Sequence, residues 1–225
     1  MTKGKLIIID SGSDGSGKAT QTALLVERLK QEGYPVQAIT FPDYESPACE
    51  PVKMYLNGEF GTGVDEVNAY VASTFFAIDR FASFKKHWKK AYESGAIIIS
   101  DRYTTSNMIH QGIKMERQDR EAYLDWLTTL EFEHFGLPKP DLTIFLNVSP
   151  QMTKKLRENR PNKITGESKQ DIHESNEAYL EQCYYNGIEL ADHQRWSQIH
   201  CDDQVNLRTI EDIHEEIYEL VKTIL

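Results

Sequence analysis

The chain has 225 residues, a formal net charge of −10 and an ordinary globular composition, with 40% apolar and 27% charged side chains. That balance excludes a disordered or fibrous protein, and the net charge argues against a duplex-DNA binder, which needs a broad basic surface to displace counterions. Small phosphorylated ligands stay allowed, because a local cluster of cations suffices for them.

The first apolar run, 6–9, is short and β-branched and reads as a buried strand. Gly12, Gly15 and Gly17 follow, then Lys18. Ala23, Leu24, Leu25, Val26 and Leu29 then recur at helical spacing up to Gly33. Strand, glycine-rich turn, lysine and helix form a phosphate cradle: a helix's first turn offers unpaired N–H groups and the positive end of its dipole. Glycines let the backbone take left-handed conformations and approach phosphate oxygens. The spacing fits G-x-x-x-x-G-K, the P-loop signature. Ser or Thr is expected next, to hold magnesium. Here Ala19 stands there, with Thr20 one position later.

Further on, 35–41 reads as a second strand closed by F-P-D-Y, 47–56 as a short helix, and Asn57-Gly58 as its end. A long helix from 65 carries Phe75, Phe76 and Arg80 and ends in Lys85, Lys86, Lys89 and Lys90, which suits a helix carboxyl end. On spacing alone, its aromatics read as core. A third strand, 96–100, leads into Asp101-Arg102-Tyr103. Helices are expected over 106–115 and 118–135, a strand over 142–148, and a helix opened by Ser149-Pro150. The stretch 157–170 is polar and charged. A helix over 171–195, a strand over 197–201 and a helix over 210–225 complete the chain.

Strands alternating with helices, several of them continuous apolar runs, predict a single α/β domain over 1–225. Its parallel sheet is covered by helices on both faces. On such sheets ligands gather at the carboxyl ends of the strands. Asp101 is placed there to hold magnesium and Arg102 to grip a second phosphate, although a strand-end Asp also commonly caps a helix. The cations Lys154, Lys155, Arg157, Arg160, Lys163 and Lys169 suggest a lid over about 154–171, and equally an ordinary solvated loop. Cys49, Cys183 and Cys201 fit no metal spacing and read as reduced thiols of a cytoplasmic protein. The histidines form no ligand set. No secretory leader and no membrane-crossing apolar stretch is read.

Taken together, these residues resemble the thymidylate kinase family of P-loop nucleoside monophosphate kinases. The resemblance rests on G-S-D-G-S-G-K-A-T-Q, F-P-D-Y, F-F-A-I-D-R, D-R-Y-T-T-S-N-M-I-H-Q and the basic stretch after L-N-V-S-P. It implies a P-loop NTPase three-layer fold with a five-stranded parallel sheet, ATP and dTMP as substrates, magnesium as cofactor, and a homodimer. It further implies that Gly12, Ser13, Asp14, Gly15, Ser16, Gly17, Lys18, Ala19 and Thr20 hold ATP, with Asp14 facing the acceptor. Phe76 would stack on thymine and Arg80 would read its carbonyl edge. Phe41, Tyr44, Ser106 and Gln111 would line the acceptor site. Asp101 would stand on the metal side, Arg102 on the acceptor phosphate, and Arg160 in the lid. Ser16 leaves the loop without an arginine, so the catalytic cation is expected from the lid, as in bacterial members. Three positions depart from the family pattern: Ala19, Tyr44 in place of an arginine, and Ser11 in place of Glu. Tyr44 leaves open a kinase of the same fold with another acceptor. Ala19 leaves open a nucleotide-binding module without catalysis.

Overall fold

In a computed structural model, residues 3–157, 172–173, 176–203 and 205–225 are described, those of Arg157 by backbone only. Five parallel strands form one sheet in the order β2-β3-β1-β4-β5. They are β1 (Lys5–Asp10), β2 (Val36–Thr40), β3 (Ile97–Asp101), β4 (Leu142–Asn147) and β5 (Ser197–His200). The central strand is buried from Leu6 to Asp10, which explains its unbroken apolar run. Alternate residues serve opposite layers. Ile7 and Ile9 pack with Leu25 and Leu29 of α1 (Lys18–Gln31) and with Ile213 and Ile217 of α9 (Ile210–Lys222). Leu6 and Ile8 pack with Phe84 and Trp88 on the other face.

That second face carries α3 (Ala69–Ser83), which runs through a π-turn at Phe84–Trp88 into α4 (Lys89–Glu93). Between β2 and α3 lies α2 (Glu50–Leu56). Helices α5 (Thr104–His110) and α6 (Arg120–Thr128) follow β3, α7 (Pro150–Arg157) follows β4, and α8 (Glu177–His193) precedes β5.

Several boundaries move from the sequence expectations. The long helix starts at Ala69 rather than 65, because Asn68 accepts a hydrogen bond from the Val71 N–H and caps it. The third strand extends to Asp101, whose partners in register are Ile9 and Thr40. The helix expected over 106–115 starts earlier and ends at His110, giving way to a 3-10 turn at Gly112–Lys114. The expected 118–135 helix changes at Thr129–His134 into a π-turn, which accompanies the burial of Glu131. The last long helix begins at Glu177, where Asn176 caps it by accepting from the Tyr179 N–H.

Candidate active site

The loop between β1 and α1 contains two of its glycines in left-handed conformation, Gly15 (φ 85°) and Gly17 (φ 87°). Gly17 leads directly into α1, so the loop's N–H groups and the helix's positive end share one location. Gly12 has a different reason for lacking a side chain. A Cβ there would lie 2.6 Å from Tyr184 Cα, so α8 approaches too closely for any larger residue. The expectation that all the glycines serve backbone bending therefore holds for two of them, and Gly12 is a packing requirement.

Lys18 is buried. Its Nζ donates to Ser11 Oγ (2.8 Å), the Ser13 carbonyl (2.9 Å) and Ser16 Oγ (3.3 Å). Burial, with Arg102 nearby, pulls its ammonium down to about 8. Ser11, which the sequence left unexplained, is the hub of this cluster. Its hydroxyl donates to the Ser13 carbonyl and accepts from both Ser16 Oγ (2.7 Å) and Lys18 Nζ. Ala19 and Thr20 are exposed on the first turn of α1.

At the end of β3, Arg102 adopts φ 69°, a conformation that residues with side chains seldom take. Its N–H donates to the Ile9 carbonyl (3.0 Å), and Ser100 Oγ donates to its carbonyl. The guanidinium lies 2.9 Å from Asp14 and 3.7 Å from Asp10, and these carboxylates hold its pKa above the usual arginine value. It also donates to Ser106 Oγ (3.2 Å) and His110 Nε2 (3.3 Å). Asp10 is fully buried and accepts from the Ser11 N–H, Thr105 Oγ1 and Ser106 Oγ.

A cavity of about 470 Å³ opens at the carboxyl ends of the strands. Asp14 and Ala19 border it on the loop side. Phe41 and Tyr44 from the loop after β2 and Phe76 and Arg80 from α3 also line it, together with Asp101, Arg102, Ser106 and Gln111. Residues far apart in sequence thus meet around one hollow. Gly12, Ser13, Gly15, Ser16, Gly17, Lys18 and Thr20 do not line it; they belong to the adjoining loop and helix start. Arg160, with most of the proposed lid, lies outside the described residues. Of the expected lid, Lys154 sits in α7 and pairs with Glu177 (2.7 Å).

Phe76 is half-buried and meets the Tyr55 ring edge-on at 6.3 Å. Arg80 is buried in a bidentate pair with Glu131, Nε to Oε2 at 2.7 Å and Nη2 to Oε1 at 2.6 Å. Nη2 also donates to Asn107 Oδ1, and Nη1 to the Tyr103 carbonyl. Sequence reading missed Glu131, which lies within the π-turn and is fully buried. It also missed Asp10, which carried the same signal as Asp101: a carboxylate closing an apolar strand. Asn107, His110 and His173 line the same hollow; the first two lie inside the 101–111 motif without a role having been read for them, and His173 had no signal.

Both histidines are held neutral. Burial, then Arg102, pushes His110 well below its ordinary value, and burial, then Lys114, pulls His173 down to about 3. In the unfolded chain they take up protons near 6.5. Their contribution to stability is therefore complete above pH 6.5 and is lost progressively as pH falls toward the folded values. Asp79 has the opposite sign. Burial pushes its carboxyl up to about 6, so the fold binds that proton first and gains stability as pH falls through 6. Two histidines outweigh one carboxylate, so the urea midpoint is expected to drop on acidification from pH 6.5 to 4.5. His173→Gln should flatten that drop; an unchanged slope would contradict the assignment.

Asp101 borders the hollow, and its carboxylate oxygens suit a hard cation such as magnesium, which keeps several waters and takes substrate phosphates as ligands; the Asp14 carboxylate is taken up by Arg102. Ala19 contributes no side-chain oxygen, so the donor set fits an ion held by a carboxylate and phosphates, without a loop hydroxyl.

A glycine-rich loop closing on a buried lysine, at the centre of a parallel sheet ordered 2-3-1-4-5, defines a P-loop NTPase fold, here with a nucleotide-sized hollow beside the loop. The family model for thymidylate kinase matches residues 11–217, and the chain belongs to the thymidylate kinase family. It is 26% identical over 229 residues to thymidylate kinase of Danio rerio, covering 99% of this chain and 92% of that one. It is 27% identical over 219 residues to the probable thymidylate kinase of Thermococcus onnurineus (96% and 97% covered). A thymidylate kinase of Mycobacterium tuberculosis is 30% identical over 150 residues, 65% of this chain and 68% of that one. The solved thymidylate kinase of Candida albicans superposes with a TM-score of 0.70 over 98% of this chain and 92% of that one, at 21% identity, which shows the shared fold. The protein is a kinase.

Proposed function

We propose that this kinase transfers the γ-phosphoryl group of ATP to dTMP, giving dTDP and ADP, with magnesium bound alongside ATP. Family membership supports the activity. The observation that carries it at the site is the meeting of loop, Arg102, Phe76 and Arg80 around one hollow. A phosphate oxygen of dTMP attacks the γ-phosphorus. The new O–P bond forms as the bond to the bridging oxygen breaks, and the electron pair departs on ADP. The attacking oxygen is already anionic, so no general base is needed. Positioning and charge stabilisation supply the catalysis.

In this reading the loop amides from Gly12 to Lys18 cradle the ATP phosphates, and Arg102 takes the acceptor phosphate. Lys18 has three N–H groups and three loop acceptors; a phosphoryl oxygen replaces one of these, Ser16 Oγ being the most distant. Asp101 would hold magnesium, which when bound neutralises phosphate charge. Arg160 would add a cation from the lid. Phe76 would stack on the base, and Arg80, aimed by Glu131, would meet its carbonyl edge. The single-domain reading over 1–225 is supported by the one sheet. A cytoplasmic setting is supported by the buried free thiols. A homodimer is supported by Val71 and Ile78, seven residues apart on α3 and 44% and 40% exposed. Among the described residues no helix is long and apolar enough to cross a membrane.

The test is a panel of nucleoside monophosphates and deoxynucleosides in a coupled ADP-release assay. dTMP should have the highest kcat/KM, and Phe76→Ala should raise the KM for dTMP about tenfold while leaving that for ATP unchanged. ATP binding without turnover of any acceptor would sink the proposal.

A further inference from the structure

Two walls on the acceptor side of the hollow come from separate elements. Phe41, Pro42, Asp43 and Tyr44 come from the loop after β2, and Phe76 and Arg80 come from α3. The loop is tied to the sheet at one end by the Phe41 N–H donating to the Asp101 carbonyl (3.0 Å). Its middle is tied to α3 by Asp79, whose Oδ2 accepts from the Asp43 N–H at 2.9 Å. The Asp43 carbonyl in turn accepts from the Ser46 N–H (2.9 Å), so this peptide segment is held at both its nitrogen and its oxygen.

Asp79 is 1% exposed, lies outside the cavity lining and sits three residues after Phe76 and one before Arg80. Its Oδ1 has no hydrogen-bond partner among the described residues. A buried carboxylate with one oxygen unbonded is costly, and filling space alone would not require it. What it supplies is a charge-assisted acceptor for one backbone N–H, the N–H of the residue adjoining Tyr44.

We propose that Asp79 is a positioning residue for the acceptor: by anchoring the residue-43 amide to α3 it sets the distance between the Phe41–Tyr44 wall and the Phe76–Arg80 wall. It touches neither nucleotide. Removing its acceptor oxygen lets the loop wall drift from the helix wall, which loosens acceptor binding and leaves the ATP loop, on another element, undisturbed. The inference rests on the dTMP kinase reading.

Steady-state kinetics with both substrates varied test it. Asp79→Ala should raise the KM for dTMP about tenfold, the usual scale for losing a hydrogen bond to a charged group, with the KM for ATP within about twofold of the parent. Asp79→Asn keeps an oxygen acceptor for the Asp43 N–H and should restore the dTMP KM to within about threefold of the parent. Asp79→Ser, too short to reach, should behave as the alanine variant and serves if that one fails to fold. Equal rises in both KM values, or an asparagine variant as impaired as alanine, would overturn the proposal. Parent enzyme inactive on dTMP would instead overturn the function reading.

Discussion

Lys18→Ala is expected to lower kcat by at least about 10²- to 10³-fold, the range for losing one preorganised charge at a developing transition state. The thermal midpoint should hardly move. Lys18 is a buried ammonium already pulled down to about 8, so its removal relieves a desolvated charge while costing the hydrogen bonds to Ser11, Ser13 and Ser16. These terms oppose each other. The combination of lost turnover and kept stability separates a catalytic cation from a structural one, and single-turnover rates with melting curves measure both. Burial also predicts a pH effect in the parent. In kcat/KM for ATP, which reports the free enzyme, activity should fall above about pH 8 as Lys18 gives up its proton, and the alanine variant should lose that limb. A Lys18→Ala enzyme with near-normal turnover would remove this lysine from the mechanism.

Glu131→Ala is expected to destabilise the fold by about 3–5 kcal/mol, the scale for breaking a buried ion pair from one side. Arg80 is 1% exposed, and its guanidinium cannot shed its proton to escape the unpaired state. Thr104 Oγ1 also loses its acceptor. For a chain of this length the midpoint should drop by roughly 10 °C. Replacing Arg80 and Glu131 together by methionine and leucine should recover much of that stability, since an apolar pair avoids the desolvation penalty. Acceptor selectivity should not return, because the base edge then meets no donor in the proposed role of Arg80. Urea unfolding of the single and double variants, with dTMP titrations, tests both halves. A Glu131→Ala enzyme as stable as its parent would show that the pair contributes little.

Much of the site's address was legible in the chain. A β-branched run followed by spaced glycines and a lysine reads as a phosphate loop because local geometry dictates those residue types at that spacing. Asp101-Arg102 and F-P-D-Y stood out because they close strands. Phe76 and Arg80 were harder. Their helical spacing is equally that of a core face, and only the resemblance to known kinases singled them out.

What the amino-acid order determined by itself was local and periodic: strands, helices, the loop and the side of the sheet on which ligands collect. These follow from backbone hydrogen bonding and apolar alternation within a few residues. Only the tertiary structure decided the pairings. Glu131 reaches Arg80 from 51 positions away, and Thr105 and Ser106 reach Asp10 from 95 and 96 positions away. Gly12 is small because α8 passes over it, and Ser11 is polar because a lysine needs an acceptor. Such contacts have no sequence period, since they arise where distant segments are brought together by burial. A buried charge then takes whatever partner the packing places beside it.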